Sequence, residues 1–494
     1  PQTGHHTLNS ALPLDAIERI EIVKGPAARI YGQNAFTGAI NIVTKNVSSS
    51  KTNFTVARGS FNSNQVSATK QIHTENQQHI AHFSLQESDG YRYNTDFKNL
   101  HLFTKSNFAT RASNITLLTM FTERKFGANG FYRATTATEQ YEETQSSLVA
   151  LTSSIISKNQ KWTWTPRLFW KRGQDEYIYI RNNPSVFRNM HITNRLGLSL
   201  DAKNTNTWGA TGFGVELSSV AIQSNNLGTK NRSIAHMFFE HRFSQGALDV
   251  TPGFAWSNYS DMGGFFYPGI DMGYRLTSHI KVTYNTGYTY RIPTYTDLFY
   301  QSTITKGNSD LQPEKALSHE ISMRYQSQNW SVEAAVFQRD GENLIDFVKQ
   351  SPDDVAWVAE NIVDKITTVG GELNTVWQYR IGKQQHTLNL SYAYLEDDYI
   401  KSVYSKYALN FLKHDLNIQL TKAFSSRFST TAAYRYAKRA LGDTYQLFNL
   451  QLIYTLGSKW DIEIQGRNLF NATYSENLIP MPKAHGLITL QYTL

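Results

Sequence analysis

The chain contains no cysteine, which excludes disulfide staples and thiolate metal sites but does not by itself fix a compartment. It has no run of about 18 apolar residues, so membrane-spanning helices are excluded too. Basic residues form no block. Lys and Arg alternate with Asp and Glu throughout, so the net charge of +8 does not read as a nucleic-acid footprint. A basic surface facing anionic lipid, or an anionic ligand, fits that dispersed pattern better. Pro1 is not an initiator Met, and no charged stretch followed by an apolar one lies near it. An export signal is therefore expected to precede this sequence.

Aromatic residues are plentiful. They make up 13% of the 494 residues although the mean hydropathy is negative, at -0.44. Two classes combine these features: a large soluble β-protein, and a membrane barrel in which lipid-facing residues are diluted one for one by lumen-facing polar ones. From about Thr52 the chain repeats strands of alternating polarity. Ile488, Leu490, Tyr492 and Leu494 alternate with Leu487, Thr489, Gln491 and Thr493. Phe448, Leu450, Leu452, Tyr454 and Leu456 form another such face, and Trp460, Ile462 and Ile464 alternate with Asp461, Glu463 and Gln465. Alternation alone suits a sandwich equally well.

Connection lengths separate the two. Short turns are expected at 157–161, 203–206, 245–247, 326–329, 425–427 and 457–459. Long connections are expected at 86–99, 123–145, 173–193, 291–318, 348–361 and 395–411. One end of the sheet is tightly turned and the other elaborated, which is the asymmetry of outer-membrane barrels. Counting on this basis gives about 22 strands between Thr52 and Leu494, a barrel wide enough to need a plug.

The first fifty residues carry the densest local pattern. Ile17 to Val23 reads as a strand that includes Glu18, Arg19 and Glu21. Lys24, Gly25 and Pro26 then turn the chain, Ala27 to Tyr31 suits a short helical turn broken at Gly32, and Gly38 to Thr44, with Asn41, is a second strand. This order fits a small α/β domain. The stretch resembles the signature at the end of the plug of TonB-dependent outer-membrane receptors, where I-E-R-I-E-I leads to G-P, then Y-G, then G-x-I-N-I. Lys24 stands where Arg is also common. Farther on, Arg291 to Tyr300, Asn308 to Glu314 and Glu320 are similar to the family's R-x-P-x-x-x-x-L-Y, N-P-x-L-K-P-E and E segment, with Ser309 in place of Pro and Gln312 in place of Lys. Gly466 to Asn471 with Tyr474, then Pro480 to Pro482, is similar to the family's ending.

The resemblance implies an all-β fold, an antiparallel transmembrane barrel over residues 49–494 with the C-terminal part of an α/β plug over residues 1–48, in a Gram-negative outer membrane. It implies a receptor that imports a scarce ligand without breaking any bond in it, hence no enzyme and no required cofactor. Its implied partners are a TonB-type energy-coupling protein, outer-membrane lipid and lipopolysaccharide, a cobalamin or metal-chelate ligand, and as a further candidate a surface lipoprotein. The coupling segment and the first part of the plug are expected to precede Pro1. No local catalytic arrangement of Ser, His and Asp is readable.

Ligand choice is expected at the plug apex and the long loops. The polar stretch Pro1 to Asn9, with Gln2, Thr3, His5, His6 and Asn9, looks like the plug loop of cobalamin receptors, which makes vitamin B12 the leading cargo; a ferric siderophore or haem is the alternative, and a passive porin the alternative of another class. His5 and His6 are adjacent, point to opposite sides of an extended chain, and have no evident third partner for a metal. Tyr91, Tyr93, Tyr132, Tyr177, Tyr295 and Tyr300 are candidate ligand contacts, against the plainer role of an interfacial aromatic girdle. Glu87 with Asp89, and Glu396 with Asp397 and Asp398, supply oxygens that could hold Ca2+ in loops, although no EF-hand spacing is present. Glu320 and Glu463 are expected on the lumenal face, paired with plug cations Arg19 or Arg29, or with a barrel residue such as Arg467.

Overall fold

A computed structural model describes residues 12–25, 30–32, 35–132, 136–362, 365–398, 404–406, 411–440, 442, 444–476 and 479–494. Its dominant feature is a closed antiparallel barrel of 22 strands. The first, Lys51–Gly59, pairs with the last, His485–Thr493, and Phe54 faces Tyr492 across the closure. Closure leaves no free sheet edge and satisfies every ladder within the wall, as a hydrocarbon environment demands.

Alternation decides which face is which. Leu196, Leu198 and Leu217 are each more than half exposed on the outside, while Arg195, Ser199 and Ser218 between them face the lumen. A soluble sandwich would bury those leucines; here the apolar side is the outer one. Large aromatic residues concentrate outside near the tightly turned end. Trp162, Trp330 and Trp460 each open a strand there; Trp330 stacks on Trp377 at 5.1 Å, and Trp460 packs on Tyr492 at 4.5 Å. That is where an interfacial girdle sits. Inside, rings lie over glycines: a Cβ on Gly197 would come within 2.3 Å of the Phe169 ring, so the missing side chain makes room for it.

At one end every connection between neighbouring strands is two to five residues long. The expected turn at 203–206 is displaced, because the strand Arg188–Asn206 continues to Asn206 and turns at 207–208. At the opposite end the contrast is weaker than expected. Connections 60–62, 225–227 and 260–262 are as short as the turns, and several long ones shrink, with 123–145 becoming 128–140 and 173–193 becoming 179–187, whereas 348–361 grows to 343–365. Strands reach 19 residues where about ten cross a membrane, so the wall rises above the bilayer and consumes sequence that reads as loop.

Inside the barrel lies a two-stranded antiparallel hairpin, β1 (Ile17–Lys24) and β2 (Gly38–Thr44). A 3-10 turn, Leu14–Ala16, leads into it. The two expected strands are thus present. Pro26 and Arg29, most of the expected helical turn, and Gln2, Thr3, His5, His6 and Asn9 lie outside the described residues. Gly38 explains itself sterically: its φ is +152°, and a Cβ there would sit 2.6 Å from the Val23 carbonyl oxygen.

Candidate functional site

Two zones position chemistry: the contact between hairpin and wall, and the mouth of the barrel. At the first, Ala16 and Val47 pack on Ile80, Phe103 and Met120 of the wall. Polar ties surround this apolar spot. The Thr69 hydroxyl donates to Asp15 at 2.9 Å, with His82 beside it at 3.6 Å from the same carboxylate. Lys105 donates to the Lys45 carbonyl at 3.1 Å and to Thr44 and Asn46 at 3.4 Å. Farther round, the Phe36 carbonyl accepts from Thr289 at 2.9 Å, and the Arg339 guanidinium lies 4.4 Å above the Phe36 ring.

Lys24 is the hairpin's ionic contact with the wall among the described residues, and its partner is Glu372. This differs from the expected pairs. Arg19 is held within its own strand, 2.7 Å from Glu21 and 3.1 Å from Glu18, because residues flanking it on an exposed strand reach it without crossing the lumen. Glu21 also accepts from Asn41 at 2.8 Å, and the two bonds, Asn41 first and Arg19 second, hold its carboxyl below the usual range. Glu320 is on the lumenal face, across the ladder from Asn285 and Phe337, and forms no ion pair among the described residues. Glu463 accepts from Gln451 and Gln465, and Arg467 reaches Gln465 at 3.2 Å rather than a carboxylate. Gly25 and Gly32 have positive φ, +51° and +80°, and Tyr31 is half exposed.

At the mouth, three connections join into one cap. Strands Thr305–Lys306, Trp357–Asn361, Ile345–Lys349 and Tyr404–Ser405 form a four-stranded sheet in that order. Beneath it, Tyr295, Leu298, Leu311 and Phe347 pack with Ile222 of the wall and Leu227 of the 225–227 connection. The motif from Arg291 to Glu314 organises this cap. Arg291 and Glu314 face each other at the base of the 292–313 connection, with Nη2 to Oε1 at 2.6 Å. Helix α1 (Tyr295–Phe299) is closed by a reciprocal cap between Thr294 and Asp297. Glu314 then accepts the Ile345 amide at 2.7 Å, which ties the second connection to the first. Asn468 does similar work near the C-terminus, bonding Ala472 and Pro482 from a φ of +49°.

The six candidate tyrosines separate. Tyr132 and Tyr177 stack edge to face at 5.3 Å, and Asn189, which faces Tyr177 across the ladder, donates to Tyr300 at 3.0 Å. These three line one side of the mouth. The Tyr132 hydroxyl donates to Glu142, and burial pushes its pKa well above the ordinary value. Tyr93 donates to Glu139 at 2.9 Å; Tyr91 bonds the Pro480 carbonyl on another side. Tyr295 belongs to the core of the cap, 2% exposed with Arg232 at 4.8 Å over its ring, so no ligand reaches it. These residues stand at the mouth or in the cap, at the end opposite the ring of tryptophans.

The acidic pairs are engaged in other ways. Asp89 accepts from Asn62 at 3.1 Å, Glu396 pairs with Lys413 at 2.6 Å, and Asp397 accepts from Thr368 at 2.5 Å. Glu87 and Asp398 face Asn64 and Thr367 on neighbouring strands. Among the described residues no three His, Cys, Asp or Glu gather as a metal site. Sequence reasoning missed the ionic role of Lys24, the Phe36 contacts and the loop sheet. Glu372 lies in the strand Ile366–Ile381, and nothing local in the sequence marks its partner.

Comparison with known proteins gives a consistent outcome. Residues 30–469 match the family described as "TonB dependent receptor-like, beta-barrel", and residues 1–39 match the "TonB-dependent Receptor Plug Domain". A curated relative, the vitamin B12 transporter BtuB of Vibrio vulnificus, is 21% identical over 94% of this chain and 76% of its own length. Among solved structures, the siderophore receptor PirA from Pseudomonas aeruginosa superposes with a TM-score of 0.80 at 16% identity, covering 100% of this chain and 90% of that one. The hemophore receptor HasR of Serratia marcescens, in complex with its hemophore and heme, gives 0.80 at 14%, covering 98% and 88%. At such identities the structural likeness carries the fold alone.

Proposed function

The chain belongs to the TonB-dependent receptors and is an outer-membrane protein of transport, and from that premise we propose that it imports cobalamin by energy-coupled movement of its plug. The observation that carries the cargo is the similarity to a vitamin B12 transporter along nearly the whole chain. A hairpin seated in the lumen by an ion pair and by hydrogen bonds to the wall supports active release over passive diffusion. Such ties hold the plug at rest yet are individually weak enough to be broken by a pulling force. The pulling partner is a periplasmic energy-coupling protein, and lipid with lipopolysaccharide surrounds the outer face.

A ferric siderophore or haem is the second reading, favoured by the named ligands of the structural neighbours. Equilibrium binding of cobalamin, haem and ferric siderophores to the purified full-length receptor separates them. Micromolar or tighter binding of cobalamin is expected, and binding no tighter than about millimolar defeats that cargo. A large open conductance, unaffected by removing the plug, would instead make the protein a porin.

A further inference from the structure

One sector of the lumenal wall carries charge that the receptor fold does not use. Gly173, in the strand Trp162–Ile178, faces inward, because its neighbours Leu168 and Trp170 alternate to the outside. A Cβ at Gly173 would meet nothing within 4 Å, so the wall is dished there. Ser146 and Thr193 flank it across the ladders, and Lys171 is the next inward residue along its own strand. Beyond Ser146 stands Thr122, with Arg124 and His101 adjoining it.

The polar atoms around this dish lack partners. Arg124 Nε, His101 Nδ1, Ser146 Oγ and His191 Nδ1 are buried without a hydrogen bond, and His191 is 5% exposed. Neither Arg124 nor Lys171 forms an ion pair among the described residues, whereas Arg195, one strand from Lys171, is taken by Glu216 at 2.6 Å. Two carboxyls of this wall, Glu142 and Asp175, are hydrogen-bonded to one another. Buried donors without acceptors are costly. Aromatic Tyr177 closes the sector toward the mouth and Phe169 closes it toward the periplasm.

We propose that this sector is an oxyanion-binding niche in which Arg124 and Lys171 hold a phosphate or carboxylate group carried by the transported ligand. The inference rests on the receptor reading and adds to it the chemical feature that the wall recognises. Guanidinium and ammonium on two faces of a side-chain-free depression bind oxygen anions by charge-assisted hydrogen bonds, with the Ser146 and Thr193 hydroxyls as neutral donors. For cobalamin the group is the phosphodiester of its nucleotide arm, which cobinamide lacks.

Titration calorimetry on the full-length receptor in detergent, at fixed ionic strength, tests this with inorganic phosphate as the probe. Wild type is expected to bind phosphate saturably, Arg124→Gln or Lys171→Gln to weaken it about tenfold or more, and Lys171→Arg to retain most of it. Gly173→Val, which fills open space without removing charge or straining the backbone, is expected to abolish binding; heat-modifiable gel mobility checks that each barrel is folded. Cobalamin and cobinamide form the second arm, which distinguishes a group borne by the cargo from free phosphate. Wild type should prefer cobalamin, and the Arg124→Gln, Lys171→Gln double variant should lose that preference. Phosphate binding that is absent in wild type, or unchanged in the folded double variant and in Gly173→Val, overturns the niche. If neither corrinoid binds while the phosphate arm behaves as expected, the cargo reading fails and the niche stands.

Discussion

Asp96 and Arg181 show how a single contact sets local behaviour at the mouth. Arg181 grips both oxygens of Asp96, at 2.6 and 2.9 Å, and lies 4.4 Å over the Tyr141 ring. The Arg181 bonds hold the Asp96 carboxyl below its ordinary value of 3.8. A depressed carboxyl stabilises the folded state above its unfolded pKa, and that contribution disappears as pH falls through the folded value. The connections 89–96 and 179–187 are therefore expected to keep a constant protection factor, relative to the intrinsic exchange rate at each pH, from neutral pH down to about 4, and a smaller one below it. Asp96→Asn should remove the acid dependence and leave these connections less protected at pH 7, as read by hydrogen exchange. Gly38 is a second residue whose identity is dictated locally. Gly38→Ala forces a Cβ against the Val23 carbonyl oxygen and is expected to destabilise the hairpin by about 1–3 kcal/mol, read as proteolysis of the plug segment at protease levels that leave wild type intact.

At the scale of elements, the cap is an assembly of connections rather than a set of independent loops. Its sheet takes short strands from three connections, and Glu314 is bonded to both Arg291 and the Ile345 amide. Glu314→Gln keeps the shape but loses the charge. It is expected to lower the opening free energy of connections 292–313 and 343–365 together by about 1.5–3 kcal/mol, the range for hydrogen bonds to a charged group. Hydrogen exchange that rises in one connection alone would show that they are not coupled. The motif around Arg291, Pro293 and Glu314 was legible as a sequence pattern, and its physical purpose is now plain: it closes the base of the 292–313 connection. The strands were legible as well, but their upper ends were not, because polar residues alternate on both faces once a strand leaves the membrane and no apolar face remains to mark it.

At the scale of the molecule, the wall and the hairpin are held together by contacts that no local pattern announces. Lys24→Met leaves Glu372 facing the lumen unpaired and is expected to weaken hairpin docking by about 1–3 kcal/mol. In planar bilayers the full-length variant should show more frequent transient openings than wild type, while Arg19→Met, which removes only contacts within the hairpin, should not. What the sequence determined by itself was the barrel, its approximate strand number, the inner and outer faces and the plug signature, since each rests on a period of two or on turn residues close together in the chain. Tertiary structure alone decided that Lys24 rather than Arg19 crosses to the wall, that Tyr295 is buried while Tyr132, Tyr177 and Tyr300 share one side of the mouth, and that Arg124 and Lys171 stand free around Gly173. The physical reason is that barrel curvature and register bring together residues tens to hundreds of positions apart, and neither quantity is encoded in the alternation of any one strand.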